Sequence, residues 1–182
     1  YDHAIDLYNE SMRLSEKLHD QYGVASIQVN LGWTLFVTGK YQQAYDYTVQ
    51  SIESANRLGN RWLLITGHIN LGTIACELDD LPNAKHHLAE AYQLMRQLQA
   101  THLLPDIIVG AGYLLFKYQQ LEDALRLLTY GKQLPGIEGE TEARINEALK
   151  LITVQLQNTN IANESKMVNN KNIEHILKKL FL

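Results

Sequence analysis

The sequence predicts an all-α chain, a right-handed solenoid of antiparallel helix pairs, and three observations predict it. The first is a tandem period: Ala4, Ala44, Ala84 and Ala124 stand 40 positions apart, and Gly32, Gly72 and Gly112 keep the same step. The second is that other columns obey it, among them Leu18, Leu58 and Leu98; Leu35, Ala75 and Leu115; and the small set Ser11, Ser51, Ala91 and Gly131. The third is that apolar residues inside each period recur at three and four, the helical spacing, while no stretch alternates long enough to read as a strand. A period in this range marks stacked supersecondary units, each burying its apolar face only against its neighbours.

The elements follow in order. Residues from Tyr1 read as helix B of a truncated repeat. In the first complete pair, near 23–59, Val24, Ile27, Leu31 and Leu35 form one stripe, Thr38-Gly39-Lys40 breaks it, and a second stripe runs through Tyr41, Ala44, Tyr45, Thr48, Ile52, Ala55 and Leu58. Gly59-Asn60 closes that helix as a C-terminal glycine cap would. The second pair, near 60–99, turns at Leu78-Asp79-Asp80 and carries Pro82 in the first turn of its helix B, where a missing N–H costs little. The third, near 103–134, opens with Pro105 and is expected to stop at Pro135-Gly136. A final helix A is expected from Glu140 to about Leu156, which takes the repeat domain to residue 157. A polar, asparagine-rich linker over 158–170 precedes a short amphipathic helix over 171–182, with Ile173, Ile176, Leu177, Leu180 and Phe181 on its apolar stripe. The glycine and alanine columns have a steric reason: Gly32 and Ala44, twelve apart, would meet where helix A crosses helix B.

Composition narrows the function classes. The 182 residues are 46% hydrophobic and 20% charged, with three Pro. A net charge of -4 and an isoelectric point near 6.0 argue against a surface that neutralises phosphates, so no direct nucleic-acid partner is expected. The single cysteine, Cys76, has no partner for an internal disulfide. Nothing resembles a signal peptide or a membrane-spanning run, so no membrane partner is expected and the cytoplasm is the expected compartment. Because the chain opens in mid-repeat without methionine, it reads as a piece of something longer.

The pattern Asn30-Leu31-Gly32, Lys40-Tyr41-Gln42-Gln43-Ala44, with its echo Asn70-Leu71-Gly72, Asp80-Leu81-Pro82-Asn83-Ala84, resembles the tetratricopeptide repeat. In that family a Leu-Gly pair marks helix A, an aromatic or leucine opens helix B, and alanine follows three residues later. The resemblance covers residues 1 to about 157. The period departs from the family's usual value of about 34, which implies longer helices. In this it is similar to the long-helix repeats in the C-terminal arms of large bacterial NTP-dependent transcription regulators, and to those of bacterial peptide-pheromone receptors. The resemblance implies the fold more than any one function. It also allows a familiar mode to be set aside. Domains of this family that clamp a C-terminal carboxylate carry lysine and arginine on their A helices, whereas the matching positions here are Val29, Trp33, Asp106 and Gly110, and only Asn70 fits.

Candidate chemistry is sparse. His86 and His87 point about 100° apart on one helix and cannot chelate as an i, i+4 pair would. His68 has Leu64 and Gly72 at those spacings, so no metal site or cofactor is expected. Cys76 has no base at a useful spacing and reads as structural. Gly110-Ala111-Gly112 lies within a helix and reads as close packing, not a phosphate loop. Asp79-Asp80 and Glu122-Asp123 fall where acidic residues favour a helix N-terminus and read as caps. With no catalytic constellation, the chain is not expected to be an enzyme.

The expected working surface is the concave side lined by A helices. The glycine register points Trp33 and Phe36, Thr73 and Cys76, Tyr113 and Phe116 inward, with Asn30 and Asn70 one repeat apart. Two amides in one column would hydrogen-bond an extended peptide while the aromatics hold its side chains; equally, these residues would serve as packing and satisfy polar groups between helices. The terminal helix is expected to dock against the aromatic groove or the open face of helix 140–156, in its own chain or in a neighbour's, which would make it a self-association element. Burying its five apolar side chains would contribute on the order of 7 kcal/mol before entropy. Three functions compete: a protein- or peptide-binding sensor or scaffold arm of a bacterial transcription regulator, a peptide receptor, and an enzyme, for which no residues were found.

Overall fold

The computed structural model describes residues 1–134, 137, 139–158 and 170–182. The expected stop at Pro135-Gly136 and most of the expected linker, residues 159–169, lie outside them. The described residues are helical throughout, with no strand among them, and consecutive helices pack as pairs. The chain divides into two compact units, Tyr1–Leu94 and Met95–Leu182.

The first unit holds α1 (Asp2–Lys17), α2 (Gln21–Val37), α3 (Tyr41–Leu58), α4 (Arg61–Glu77) and most of α5 (Leu81–Leu98). Each connection is a turn of two or three residues with one solution. A residue at or just past the helix end takes a left-handed backbone at positions 19, 39, 59, 79, 99 and 119, a step of 20. Its N–H bonds the carbonyl three residues back, and the next N–H reaches five back: Asp20 to Ser15, Lys40 to Leu35, Asn60 to Ala55, Asp80 to Ala75, Ala100 to Met95 and Gln120 to Leu115, all at 2.9–3.0 Å. This double bond is the Schellman closure, which satisfies carbonyls the helix end would orphan. The residue that makes the longer bond also opens the next helix. Asp20 Oδ1 accepts from Gly23 N at 2.9 Å, and Asn60 Oδ1 from Leu63 N at 3.1 Å. Asp80 accepts from Asn83 N and caps as expected, whereas Asp79 instead supplies the left-handed residue that ends α4.

Within a pair, the small columns set the helix separation. A Cβ built on Gly72 would lie 2.6 Å from Leu88 Cγ and 3.2 Å from the Ala84 carbonyl; the Ala44 carbonyl stands 3.2 Å from the equivalent point on Gly32. Glycine is therefore required where A crosses B, at the residues the period singled out. In this unit α2 packs on α1, α3 and α4, and α3 packs on α4. Leu31, Leu35, Ala44 and Ile74 form one cluster, with Phe36, Tyr45 and Tyr47 against it; Ala25, Val29, Ala55, Leu63 and Leu64 form another. Twelve of the seventeen residues of α4 are buried, as a helix with neighbours on most sides must be.

The second unit holds the end of α5, a 3-10 turn (Thr101–Leu103), α6 (Leu104–Lys117), α7 (Leu121–Gly131), α8 (Gly139–Asn158) and α9 (Asn170–Phe181). Gly112 repeats the crossing, with Leu128 Cγ 2.6 Å from its added Cβ. α8 packs on both α6 and α7 and buries Ile145, Ala148, Ile152 and Leu156. Thr141 Oγ1 donates to Asp106 Oδ1 at 2.9 Å, tying the start of α8 to α6. Among the described residues no helix is long and apolar enough to cross a membrane.

Candidate functional site

In the first unit, Trp33 on α2 has Asn30 on one side and Phe36 on the other, each three residues away and so a neighbour on the helix surface. Asn30 is exposed, and both rings are half-buried. Their centroids lie 4.9 Å apart, and Tyr41, which opens α3, brings a third ring to 5.7 Å from Phe36. Phe36 rests its inner edge on the Leu31–Leu35–Ala44–Ile74 cluster. The rings are tilted by 31° and 45° to one another, and aromatic pairs at such separations attract, which helps hold the patch in shape.

The equivalent residues of α4 are placed differently. Asn70 is 8% exposed and Thr73 3%, and Cys76 is fully buried. Thr73 Oγ1 turns back to the Ile69 carbonyl at 2.9 Å. Of the two asparagines expected to share a column, only Asn30 offers its amide to solvent. The reason is local: α4 is enclosed by neighbours on most sides, whereas α2 is open beside Asn30. In the second unit, Tyr113 and Phe116 on α6 are half-buried, like Trp33 and Phe36.

The terminal helix is seated. Ile173, Ile176, Leu177, Leu180 and Phe181 are each 3–7% exposed. α9 packs along α7, a surface the sequence reading did not name, since α7's own stripe gave no sign of a second apolar face. Lys179 Nζ stands 3.9 Å from Asp123 Oδ2, and the same carboxylate meets Arg126 at 3.5 Å. A cleft of about 280 Å³ opens between these two helices, lined by Asp123, Arg126, Asn172, His175, Ile176 and Lys179. A second, of about 300 Å³, lies between the α1–α2 turn and the end of α3, with Glu16, Asp20 and Arg57 in its wall. Neither includes the aromatic patch.

A further cluster joins α4 to α5. His68 Nδ1 and His87 Nδ1 are 3.0 Å apart, their centroids 5.2 Å, and the His86 ring is 5.0 Å from that of His87. One Nδ1 must carry a proton and the other a lone pair; which is which depends on the tautomer. Both rings have a pKa lowered to about 4. Burial is the main cause for each. The positive form of His86 lowers both further, His68 also lowers His87, and Glu90 and Asp80 pull His87 partly back. Sequence reasoning missed this pair because it sought partners on the same helix, whereas these stand 19 residues apart on two. The signal was the repeat register, which brings the middle of one A helix beside the middle of its own B helix.

Together these features define a class: a helical chain whose consecutive helices pack in pairs among the described residues, with an aromatic patch on one A helix and a histidine cluster between the helices of one pair. No family model matches the chain, and no curated protein matches it.

Proposed function

We propose that the chain is a non-catalytic interaction module of the tetratricopeptide kind, the sensor or scaffold arm of a larger bacterial regulator, and that its protein or peptide partner docks on Asn30, Trp33, Phe36 and Tyr41. The observation that supports this reading is the aromatic patch itself. Three tilted rings in contact, each half-buried, leave apolar area uncovered beside an exposed amide. Rigid aromatic area ringed by polar groups is what binding surfaces use as an anchor. Charge supports a peptide over a polyanion, since the net charge is -4.

The test is a selection of extended peptides on the full chain, followed by titration with the best binder. Trp33→Ala and Phe36→Ala are each expected to weaken it by about tenfold or more, as truncated aromatic anchors do. Trp62→Ala, an exposed ring on α4 away from the patch, should leave it unchanged. Peptides that bind Trp33→Ala and Phe36→Ala as well as the parent would sink the assignment. The regulator reading has its own test in the coding sequence upstream of Tyr1, where a phosphate-binding loop and a helix-turn-helix are expected. A start codon within one repeat's length would overturn that part alone.

A peptide-receptor reading uses the same patch, and the exposed Asn30 amide beside Trp33 favours it. In that reading Asn30 holds the peptide backbone, so Asn30→Ala weakens binding. Asn70, being buried, acts on stability.

A further inference from the structure

We propose that His68 and His87 form a two-histidine site for a divalent transition metal of the Cu(II) or Ni(II) class, bridging α4 and α5. The distance suits the metal. Two nitrogens at about 2.0–2.1 Å on adjacent corners of a square-planar or tetragonal ion stand about 2.8–3.0 Å apart, against about 3.3 Å on a tetrahedral one. The observed Nδ1 separation is 3.0 Å. A small turn of each ring aims its lone pair off the line between them and at a common point. The proton now on the donor Nδ1 moves to the Nε2 of the same ring, so both rings ligate as neutral imidazoles.

The surroundings suit a cation. The Glu90 and Asp80 carboxylates act on His87 with a field that favours positive charge. Both rings are half-buried, which leaves the remaining coordination positions open to water. Among the described residues no three His, Cys, Asp or Glu side chains converge on one point, so the protein supplies two ligands and solvent the rest.

Packing does not demand histidine here. The same two columns hold Gln28 and Tyr47 one repeat earlier and Ile108 and Leu127 one repeat later. Ile108 and Leu127 are fully buried, so apolar residues fill this interface without difficulty. A polar pair facing across a helix contact is the more demanding choice, since each nitrogen must be matched. The second repeat carries histidine in both columns, and the repeats on either side carry it in neither.

Copper(II) added to the metal-free full chain tests the site, with binding followed by titration and by electron paramagnetic resonance. One equivalent is expected to bind, with hyperfine coupling to two nitrogens. His68→Gln and His87→Tyr restore the residues of the preceding repeat and so keep the packing; each is expected to weaken binding at least about tenfold, with helical circular dichroism retained. His102→Asn, on the 3-10 turn, serves as control and should bind as the parent does. A copper spectrum showing one nitrogen or none in the parent chain overturns the proposal whatever the variants do. So does binding that survives both substitutions.

Discussion

At six helix ends among the described residues one residue adopts a positive φ, and the side chain there decides what the turn costs. Gly39 and Gly59 do so with φ of 76° and 65°, while His19, Asp79, Gln99 and Gln119 do so with side chains. Left-handed backbone costs a side-chain-bearing residue roughly 1–2 kcal/mol, and glycine loses part of that advantage through its freer unfolded state. Gln119→Gly should therefore stabilise by about 0.5–1 kcal/mol, and Gly59→Ala should destabilise by a similar amount. No atom lies within 4 Å of a Cβ added at Gly59, so that loss is backbone strain alone. Urea denaturation checks both signs, and a Gly59→Ala variant as stable as the parent would mean that the turn relaxes. The histidine pair makes the other residue-scale prediction. His68 and His87 titrate near 4 in the fold and near about 6.5 when unfolded. The unfolded state thus binds more protons between those values, and stability is full above about pH 6.5 and falls as pH drops toward 4. Because water reaches both rings, the loss is on the order of 1–2 kcal/mol. In chelator-treated protein the double variant His68→Gln, His87→Tyr should lose stability less steeply over that window; an unchanged pH profile would show that the pair contributes nothing.

Among the elements, α9 is the one whose role rests on tertiary contact alone. A helix of 12 residues is marginal in water without a surface to cover, and here its whole stripe is covered. Leu177→Ala is expected to cost about 2–4 kcal/mol, the usual range for a buried leucine, and deleting 159–182 should lower the melting temperature by several degrees. Melting unchanged by the deletion would mean that α9 adds nothing to the second unit. The stripe itself was plain in the sequence, because spacings of three and four identify one face of a helix. Its docking place was not, since periodicity gives the face a helix buries and never the surface it meets. Asn70 and Asn30 teach the same lesson: the period gives them one column, and the neighbours of α4 bury one while α2 leaves the other exposed.

The repeat made the helix pairs legible, because contacts between consecutive helices are local in sequence and a fixed period writes them in order. The His68–His87 contact was legible only in principle, as it needs the rotation of each helix about its axis and not only its place in the chain. Locality has a measurable consequence. Within the second unit α6 touches α7 and α8, and α7 touches α8 and α9; stability in such an array is a sum of unit and nearest-neighbour terms. Gly112→Ala would push a methyl to 2.6 Å from Leu128 Cγ, an overpacking worth about 1–3 kcal/mol. Hydrogen exchange should then speed up in α6, α7 and α8, while α2 and α3, each eighty residues upstream of α6 and α7 in the same register, keep their protection. Faster exchange of equal size in every helix would show instead that all of them open as one cooperative body, and the nearest-neighbour description would be lost.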